Sequence, residues 1–336
     1  MLGVQVHAQL AGNAVFPFLK LDPSAKSASM GGTIISVPNS DLSTTLTNPA
    51  TLNSSHDNNL ALNYNNYFKD INYGHVSYAK RLNNQDNTWT FASQILYLNY
   101  GKFDGYDKTG ESTGTFRAND MMFGVSAAKP LNEKFSVGGS FKFIYSTLET
   151  YTGTGVALDI GSYYHDTAIG LSMGLVARNF GYQLLSYRGT EREMLPFDIA
   201  LGTTLKPRHA PFRVTILLHN LQKPDLTYDY TDPFNRRIDE NNQIINTKYS
   251  LGEKIIRHIN IGGEILLSEN FNIRFGYNHQ RRQELGTVVK KGVAGFSWGL
   301  ALKIKKIRIE YGSAGFFPGH NSNIFSVNLD LNEFYH

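Results

Sequence analysis

The feature that most constrains this chain is an alternation of apolar and polar side chains that recurs between about residues 59 and 331. In residues 156–161, Val156, Leu158 and Ile160 point to one face of an extended chain, whereas Ala157, Asp159 and Gly161 point to the other. A period of two residues is the pattern of β-strands with one apolar and one polar face. Asp159 must then lie on a face that water or a counter-ion reaches, because an unpaired buried carboxylate is costly.

About fourteen segments carry this alternation, and most exceed the roughly 5 to 6 residues of a typical globular strand. The predicted strands lie near residues 59–68, 70–82, 87–100, 115–129, 135–149, 154–165, 167–180, 195–206, 211–223, 255–268, 271–283, 293–305, 306–316 and 321–331. No stretch after residue 59 shows a helical period, so we expect an all-β fold.

The connections between these strands sort by length. Most links after even-numbered strands are short, whereas several links after odd-numbered strands are long, among them 101–115, 181–195 and 224–254. Short turns at one end and long loops at the other are typical of outer-membrane barrels. We therefore predict a single transmembrane up-and-down antiparallel β-barrel of about 14 strands, in a Gram-negative outer membrane, with its long loops facing the cell surface.

The alternation also predicts which charges line the lumen of this barrel. The opposite register would place them in lipid, at about 2 to 4 kcal/mol for each Arg or Lys at the bilayer midplane. Both signs occur on neighbouring strands, so the side chains can pair across the wall. The predicted lumen charge network consists of Lys142, Asp159, Arg178, Asp198, Arg213, Glu264, Arg274, Arg308, Glu310 and Asp330.

Three regions are predicted along the chain. Residues 1–8 end in Val6-His7-Ala8, which resembles a signal-peptidase site before Gln9, and are interpreted as the end of a signal peptide. Residues 9–58 are polar with Gly and Pro, and we expect them to form an N-terminal hatch, because a barrel of this size is too wide for its own side chains to fill. Residues 59–336 would form the barrel, with a long extracellular loop at about 224–254.

The sequence offers little support for catalysis or cofactor binding. The chain contains no cysteine, which excludes a disulfide, a thiolate metal site and a cysteine nucleophile. Its net charge of +4 without a dense basic block does not favour nucleic-acid binding. Two Gly-x-Ser-x-Gly matches, 170–174 and 295–299, continue as strands instead of entering a helix, as a nucleophile elbow would require. We predict a non-enzymatic protein with no metal and no cofactor.

The stretch 228–241 mixes aromatic and charged residues. It is compatible with a solvated loop, and it is also compatible with a docking surface, where exposed Tyr, Phe and Arg are common anchors. The candidate partner-binding residues are Tyr228, Tyr230, Phe234, Arg236 and Arg237.

Several stretches resemble the FadL-like barrels of the type IX secretion system. Residues 10–37 and the TNPATL stretch 47–52 resemble the N-terminal region of that family, and the triplet Asn48, Pro49 and Ala50 is similar to the hatch motif of fatty-acid-transporter barrels. Residues 62–81, 141–164 and 210–228 resemble its PorQ branch. The resemblance covers most of the chain and is weakest at 229–253.

The resemblance implies a FadL-like barrel that acts as a non-enzymatic scaffold of the attachment complex. Such a scaffold would tether a soluble PorZ-like surface protein, in company with a PorU-like sortase and a PorV-like barrel, while cargo is processed and joined to lipopolysaccharide. Two alternatives remain open. One is a FadL-like transporter of hydrophobic small molecules, and the other is a PorV-like carrier of cargo signal domains.

Overall fold

The computed structural model describes residues 14–38, 41–84, 87–187, 189, 192–227, 249–285, 292–317 and 320–334. Within these residues, fourteen antiparallel strands close into one barrel, in which each strand pairs with its neighbours in sequence and β1 pairs with β14. The prediction of an all-β, fourteen-stranded up-and-down barrel is confirmed. The residues predicted as a signal-peptide end, 1–8, lie outside the described residues.

The strands occupy the positions that the alternation indicates, with some differences at their ends. They are β1 Asn59–Phe68, β2 Ile71–Asn84, β3 Asn87–Tyr106, β4 Ser112–Pro130, β5 Phe135–Leu148, β6 Tyr151–Asp166, β7 Leu171–Leu185, β8 Asp198–Leu205, β9 Phe212–Leu218, β10 Ile259–Leu266, β11 Phe271–Asn278, β12 Phe296–Ile304, β13 Ile307–Phe317 and β14 His320–Asp330.

The two faces of the wall differ as the sequence pattern requires. Along β6, Leu158 and Ile160 are exposed on the outside, whereas Asp159 is 1% exposed inside. The same alternation recurs in most strands and leaves aliphatic and aromatic side chains on the outer surface. An apolar exterior around a polar interior is the arrangement of a barrel that spans a membrane.

Two short helices after residue 59 correct the expectation that this part contains none. The strand expected at 271–283 ends at Asn278, and His279–Leu285 forms α3. Gln280 Nε2 donates to Glu284 Oε1 at 2.7 Å across one helical turn. The strand expected at 255–268 begins only at Ile259, because Leu251–Ile256 forms α2, with Ser250 accepting from the Glu253 N–H as its N-cap. Both segments are too short for a helical period to show.

A second correction concerns residues 101–115, for which the sequence predicts a long loop. β3 and β4 instead continue to Tyr106 and from Ser112, so only a tight turn separates them. Asp107 organises this turn, since its Oδ1 accepts from the N–H groups of Thr109 and Glu111. The Gly, Asp and Thr content of this stretch resembles a loop in composition, although the backbone is extended.

The segment before β1 fills the inside of the barrel. It contains α1 (Ala25–Ser29) and 3₁₀ turns at Pro17–Lys20, Leu42–Leu46, Pro49–Thr51 and Ser54–His56, and a further 3₁₀ turn, Leu331–Phe334, follows β14. α1 packs against β11 to β14, and the Pro49–Thr51 turn packs against β4 to β6. We call the described part of residues 14–58 the plug. Among the described residues, no helix is both long enough and apolar enough to cross a membrane.

Candidate functional site

The plug is seated on the wall through close contacts at glycines, which involve both backbone and side-chain atoms of the plug. A Cβ on Gly276 would lie 2.0 Å from the Gly31 nitrogen, and one on Gly161 would lie 2.1 Å from Asn48 Oδ1. Real Cβ atoms do not approach other atoms this closely, so only glycine lets the plug lie directly on the strands. Further glycines in such contact with the plug are Gly138, Gly155, Gly174, Gly202, Gly262, Gly299 and Gly312.

The triplet that resembles a hatch motif lies at one of these seats. Asn48 is fully buried, and its Nδ2 donates to the carbonyl of Ile35 at 2.9 Å and to that of Ser162 on β6 at 3.3 Å. Its Oδ1 accepts from the Ala50 N–H and so caps the turn that Pro49 begins. The Ala50 carbonyl accepts from Ser136 Oγ on β5 at 2.7 Å. The triplet therefore joins two parts of the plug to the wall.

The two Gly-x-Ser-x-Gly matches have a structural explanation. Ser172 and Ser297 lie within β7 and β12, and no helix follows either of them. Ser297 Oγ accepts from the Gly31 N–H at 3.0 Å and donates to the Ser29 carbonyl at 3.1 Å. In the second match, the serine and Gly299 therefore hold the plug.

A chain of five charges crosses one side of the lumen. Arg274, which has no exposed surface, donates to Glu264 at 2.8 Å and to both carboxylate oxygens of Glu310 at 2.9 and 3.1 Å. Arg213 donates to the other oxygen of Glu264 at 2.8 Å, and Arg308 lies 3.7 Å from Glu310. The chain extends from β9 to β13 and satisfies both buried carboxylates.

Small residues on β12 allow this chain to form. Gly299 pairs with Arg274 in the strand register, and Ala301 pairs with Glu310. With no long side chain on β12 at this level, Arg274 reaches past the strand to the carboxylate on β13.

A second group of charges lies on β5 to β8. Lys142 Nζ is 2.6 Å from Asp159 and also donates to Asn179 Oδ1 at 3.0 Å. Asp159 accepts from the Asn179 N–H at 2.8 Å, next to a register shift between β6 and β7. Arg178 pairs with Asp198. Asp159 is thus tolerated because a buried ammonium and a backbone amide satisfy it.

Nine of the ten residues of the predicted network therefore lie in ion pairs. Asp330 is the exception, since it lies at the short-turn end and accepts from the Asn332 N–H at 3.1 Å. The five candidate partner-binding residues, Tyr228, Tyr230, Phe234, Arg236 and Arg237, lie outside the described residues.

The plug separates two polar cavities. One, about 330 Å³, lies at the long-loop end and is lined by Lys20, Asp22, Arg178, Asp198, His219 and Arg281, among others. The other, about 290 Å³, lies at the short-turn end and includes Lys26, Asp41, Glu310 and Asp330 in its lining. Several of the ionisable side chains that line these two cavities are buried close to other charged side chains.

The plug and rim groups of these cavities titrate abnormally. Burial lowers the pKa of Lys26 to about 8, although Glu264 and Glu310 oppose this shift. Burial raises the pKa of Asp22, whose carboxylate lies 3.4 Å from Arg281, and raises the pKa of Asp41. Burial also lowers the pKa of His219 to about 4. Among the described residues, no group of three or more His, Asp or Glu side chains could hold a metal ion.

A third cavity, of about 320 Å³, has a mostly apolar wall. Phe16 and Pro17 of the plug face Tyr100, Phe103 and Tyr187 there. Its polar side is a hydrogen-bonded chain in which Tyr187 donates to Ser146 and both Ser146 and Tyr100 donate to Asp120. The alternation did not reveal this cavity, because the plug supplies part of its wall.

Comparison with known proteins gives one family. The family model described as "Type IX secretion system protein PorV" matches residues 6–202, more than half of the chain. Among curated proteins, none matches the chain.

Solved structures of similar architecture include three barrels. The Pseudomonas putida toluene transporter TodX is 12% identical, with a TM-score of 0.57 over 92% of this chain and 96% of that one. The monoaromatic hydrocarbon channel CymD is 13% identical, with a TM-score of 0.51 over 93% and 97%. A Pseudomonas aeruginosa FadL homologue is 11% identical, with a TM-score of 0.50 over 91% and 97%. At these identities the likeness shows the FadL-like fold alone.

Proposed function

Because the chain belongs to the PorV family of type IX secretion system proteins, we propose that it is a non-enzymatic outer-membrane anchor that holds a soluble surface partner. The membership makes it an outer-membrane barrel of type IX secretion. The proposal adds the PorQ-like role: its loops face the cell surface and tether a PorZ-like protein. A PorU-like sortase and a PorV-like barrel would then process cargo nearby and join it to lipopolysaccharide.

The observation that carries the proposal is the occupied lumen. The plug contacts the wall around the barrel, from β1 and β2 through β4 to β6 and on to β11 to β14. Its backbone lies against glycines that exclude any larger side chain, and buried ion pairs hold the wall beside it. A barrel filled in this way is suited to anchoring, because its rigid interior offers no wide passage.

The asymmetry of the two ends supports a docking role. The β3–β4 ribbon, the helix α3 and the connection between Leu218 and Ile259 all belong to the long-loop end. The other end has turns of a few residues, such as the one between Ile304 and Ile307. Loops that carry binding residues on a rigid scaffold are a common arrangement for recognition.

A purification from the native outer membrane tests the proposal. The wild-type barrel would be isolated in mild detergent beside a variant in which 229–248 is replaced by a short Gly/Ser link. A second variant would carry Ser in place of Tyr228, Tyr230 and Phe234, together with R236S and R237S. We expect a stoichiometric surface protein with the wild type and at least a tenfold loss with both variants.

The control is a Gly/Ser replacement of the short turn 131–134, at the opposite end, which should retain the partner. Recovery of the barrel without any stoichiometric surface protein in every sample would overturn the anchor proposal. Capture of secreted cargo domains in place of a surface protein would favour the PorV-like carrier.

Import of hydrophobic small molecules is a second candidate, and the apolar cavity beside Phe16 favours it. TodX, a barrel of the same fold, is described as a toluene transporter. The test is binding of toluene and of decanoate to the purified barrel, by calorimetry, with Ala118→Phe to fill the cavity and Ala210→Phe in a short turn as control. If the wild type binds either ligand, A118F does not, and the wild type takes the ligand up into proteoliposomes, transport becomes the better proposal than anchoring.

A further inference from the structure

The ribbon formed by the outer ends of β3 and β4 has two open edges. β2 pairs with β3 only as far as Asn99, and β5 pairs with β4 only from Ala118 onwards. Beyond these points, residues 102–106 and 112–117 form strand pairs only with each other, although the Arg117 carbonyl also accepts from the turn that follows β5. Backbone groups along an unpaired edge are available to another strand.

The edge of β4 borders a notch in the rim. Its neighbours are the end of β5 at Thr147 and the β5–β6 turn at Glu149 and Thr150, and the space between measures about 520 Å³. The Glu149 N–H donates to the Arg117 carbonyl at 3.2 Å, so the backbone groups of Arg117 point towards the notch. Because strand geometry repeats every two residues, those of Thr115 do so as well.

The opposite edge of the ribbon, formed by β3, provides a matched control position for the β4 edge. Arg117 pairs with Lys102 and Thr115 pairs with Asp104 in the ribbon register. Because the backbone groups of Arg117 and Thr115 point to the notch, these are non-hydrogen-bonded pairs of the antiparallel ladder. In such a pair the N–H and C=O groups of both residues point away from the partner strand, so the N–H of Asp104 points to the outer edge of β3. Asp104 and Thr115 thus occupy equivalent positions on the two edges, but only Thr115 faces the notch.

We propose that this notch receives an extended segment of a protein partner, which pairs with Ser112–Phe116 as an additional strand. The inference rests on the proposed function, since it assigns part of the grip on the partner to this edge. Main-chain hydrogen bonds supply the affinity in this mode of recognition, and pockets for alternate side chains supply selectivity. The free edge, 112–116, spans five residues, about 17 Å of extended chain.

The lining of the notch describes the occupant. Thr113, Thr115, Thr147 and Thr150 contribute hydroxyl groups, and Gly114 leaves space beside them. At Gly114, where φ is +99°, an added Cβ would meet nothing within 4 Å. A strand with small or hydroxyl-bearing side chains therefore fits, whereas a run of large aliphatic residues would meet a mainly polar wall.

A second copy of this chain is a poor occupant for geometric reasons. Two barrels in one membrane share an orientation and are related by an axis near the membrane normal, so their β4 edges would run nearly parallel. In a parallel ladder, a residue of one strand bonds to two different residues of the other strand, so the two strands are not equivalent. The two-fold axis of a symmetric dimer therefore cannot relate them. A partner that is not fixed in the same membrane orientation is free of this restriction.

Hydrogen–deuterium exchange in native outer membranes and on the purified barrel tests the inference. We expect the amides in a 112–117 fragment to exchange at least tenfold more slowly in the native membrane. Those in a 102–106 fragment should exchange equally in both. Equal exchange of 112–117 in both preparations would overturn the inference.

Two proline variants connect the edge to the partner. Thr115→Pro removes an N–H that faces the notch, and Asp104→Pro removes the equivalent one on the other edge, so both keep the ladder between β3 and β4. We expect T115P to lose at least tenfold of the copurifying surface protein and D104P to retain it. Retention by T115P, while the wild type holds its partner, refutes the strand addition and leaves the anchor proposal intact.

A cysteine variant tests the second-copy alternative directly. The chain has no cysteine, so Thr115→Cys introduces a single thiol. A disulfide-linked dimer of T115C in native membranes would assign the edge to a second copy and overturn the inference, whereas the absence of a dimer agrees with a different partner. If no surface protein copurifies with the wild type or with any variant, the proposed function itself is refuted.

Discussion

At the scale of single residues, the glycine seats predict how tightly the plug is held. Gly276→Ala places a Cβ 2.0 Å from the Gly31 nitrogen, whereas Gly263→Ala on the neighbouring strand meets nothing within 4 Å. Overpacking of this kind costs about 1 to 3 kcal/mol, and the plug can relieve it by leaving the wall. We expect G276A to raise the rate of proteolysis within residues 14–38 about tenfold or more, with G263A close to wild type. Equal rates would show that the plug adjusts without loosening.

The buried Arg274 gives a second residue-scale prediction. Arg274→Met leaves Glu264 and Glu310 without their shared guanidinium, and breaking a buried pair in this way costs about 3 to 5 kcal/mol. Unfolding by urea in phospholipid vesicles measures this cost. Lys80→Met, which removes an exposed pair with Asp57, should change the free energy of unfolding by less than about 1 kcal/mol. Addition of E264Q and E310Q to R274M should recover part of the lost free energy of unfolding, because no unpaired carboxylate remains. An unchanged free energy of unfolding in R274M would contradict a structural role for the chain of charges.

At the scale of elements, the strands follow from the sequence because a barrel wall has water on one side and lipid on the other. Lys142 and Asp159 lie on the polar face and can be assigned inward without any other information. The helices α2 and α3 could not be predicted in the same way, because six or seven residues do not show a period. The glycine seats were also hidden: glycine spacing shows that space is needed, but not that the backbone of Gly31 or the side chain of Asn48 fills it.

The plug helix α1 gives a pH-dependent prediction at this scale. Lys26 has a native pKa of about 8 against an ordinary value of 10.5, so between these values the unfolded chain binds a proton that the native plug has released. Stability therefore rises with pH through this window, by up to about 3 kcal/mol for a shift of this size. The free energy of urea unfolding, compared between wild type and Lys26→Met from pH 7 to 10, should show this rise only in the wild type. Parallel pH profiles of the two proteins would contradict it.

At the scale of the whole molecule, closure of the lumen follows from contacts distributed around the wall. The plug touches strands on opposite sides, and its seats at Gly138 and Gly276 belong to different parts of the barrel. No single strand movement would release it. An anchor is compatible with this rigidity, whereas a transporter requires a path that opens.

Conductance across planar bilayers distinguishes these two behaviours. We expect the wild-type barrel to carry no stable ionic current, because the plug lies between the polar cavities at the long-loop and short-turn ends. The G276A variant should show brief openings, since it weakens one seat while the others hold, and G263A should stay closed like the wild type. A steady current through the wild type would show that the plug leaves a continuous water path and would favour transport. Closed wild-type barrels with openings in G276A would instead show that the seats on the wall, not the strands alone, keep this barrel shut.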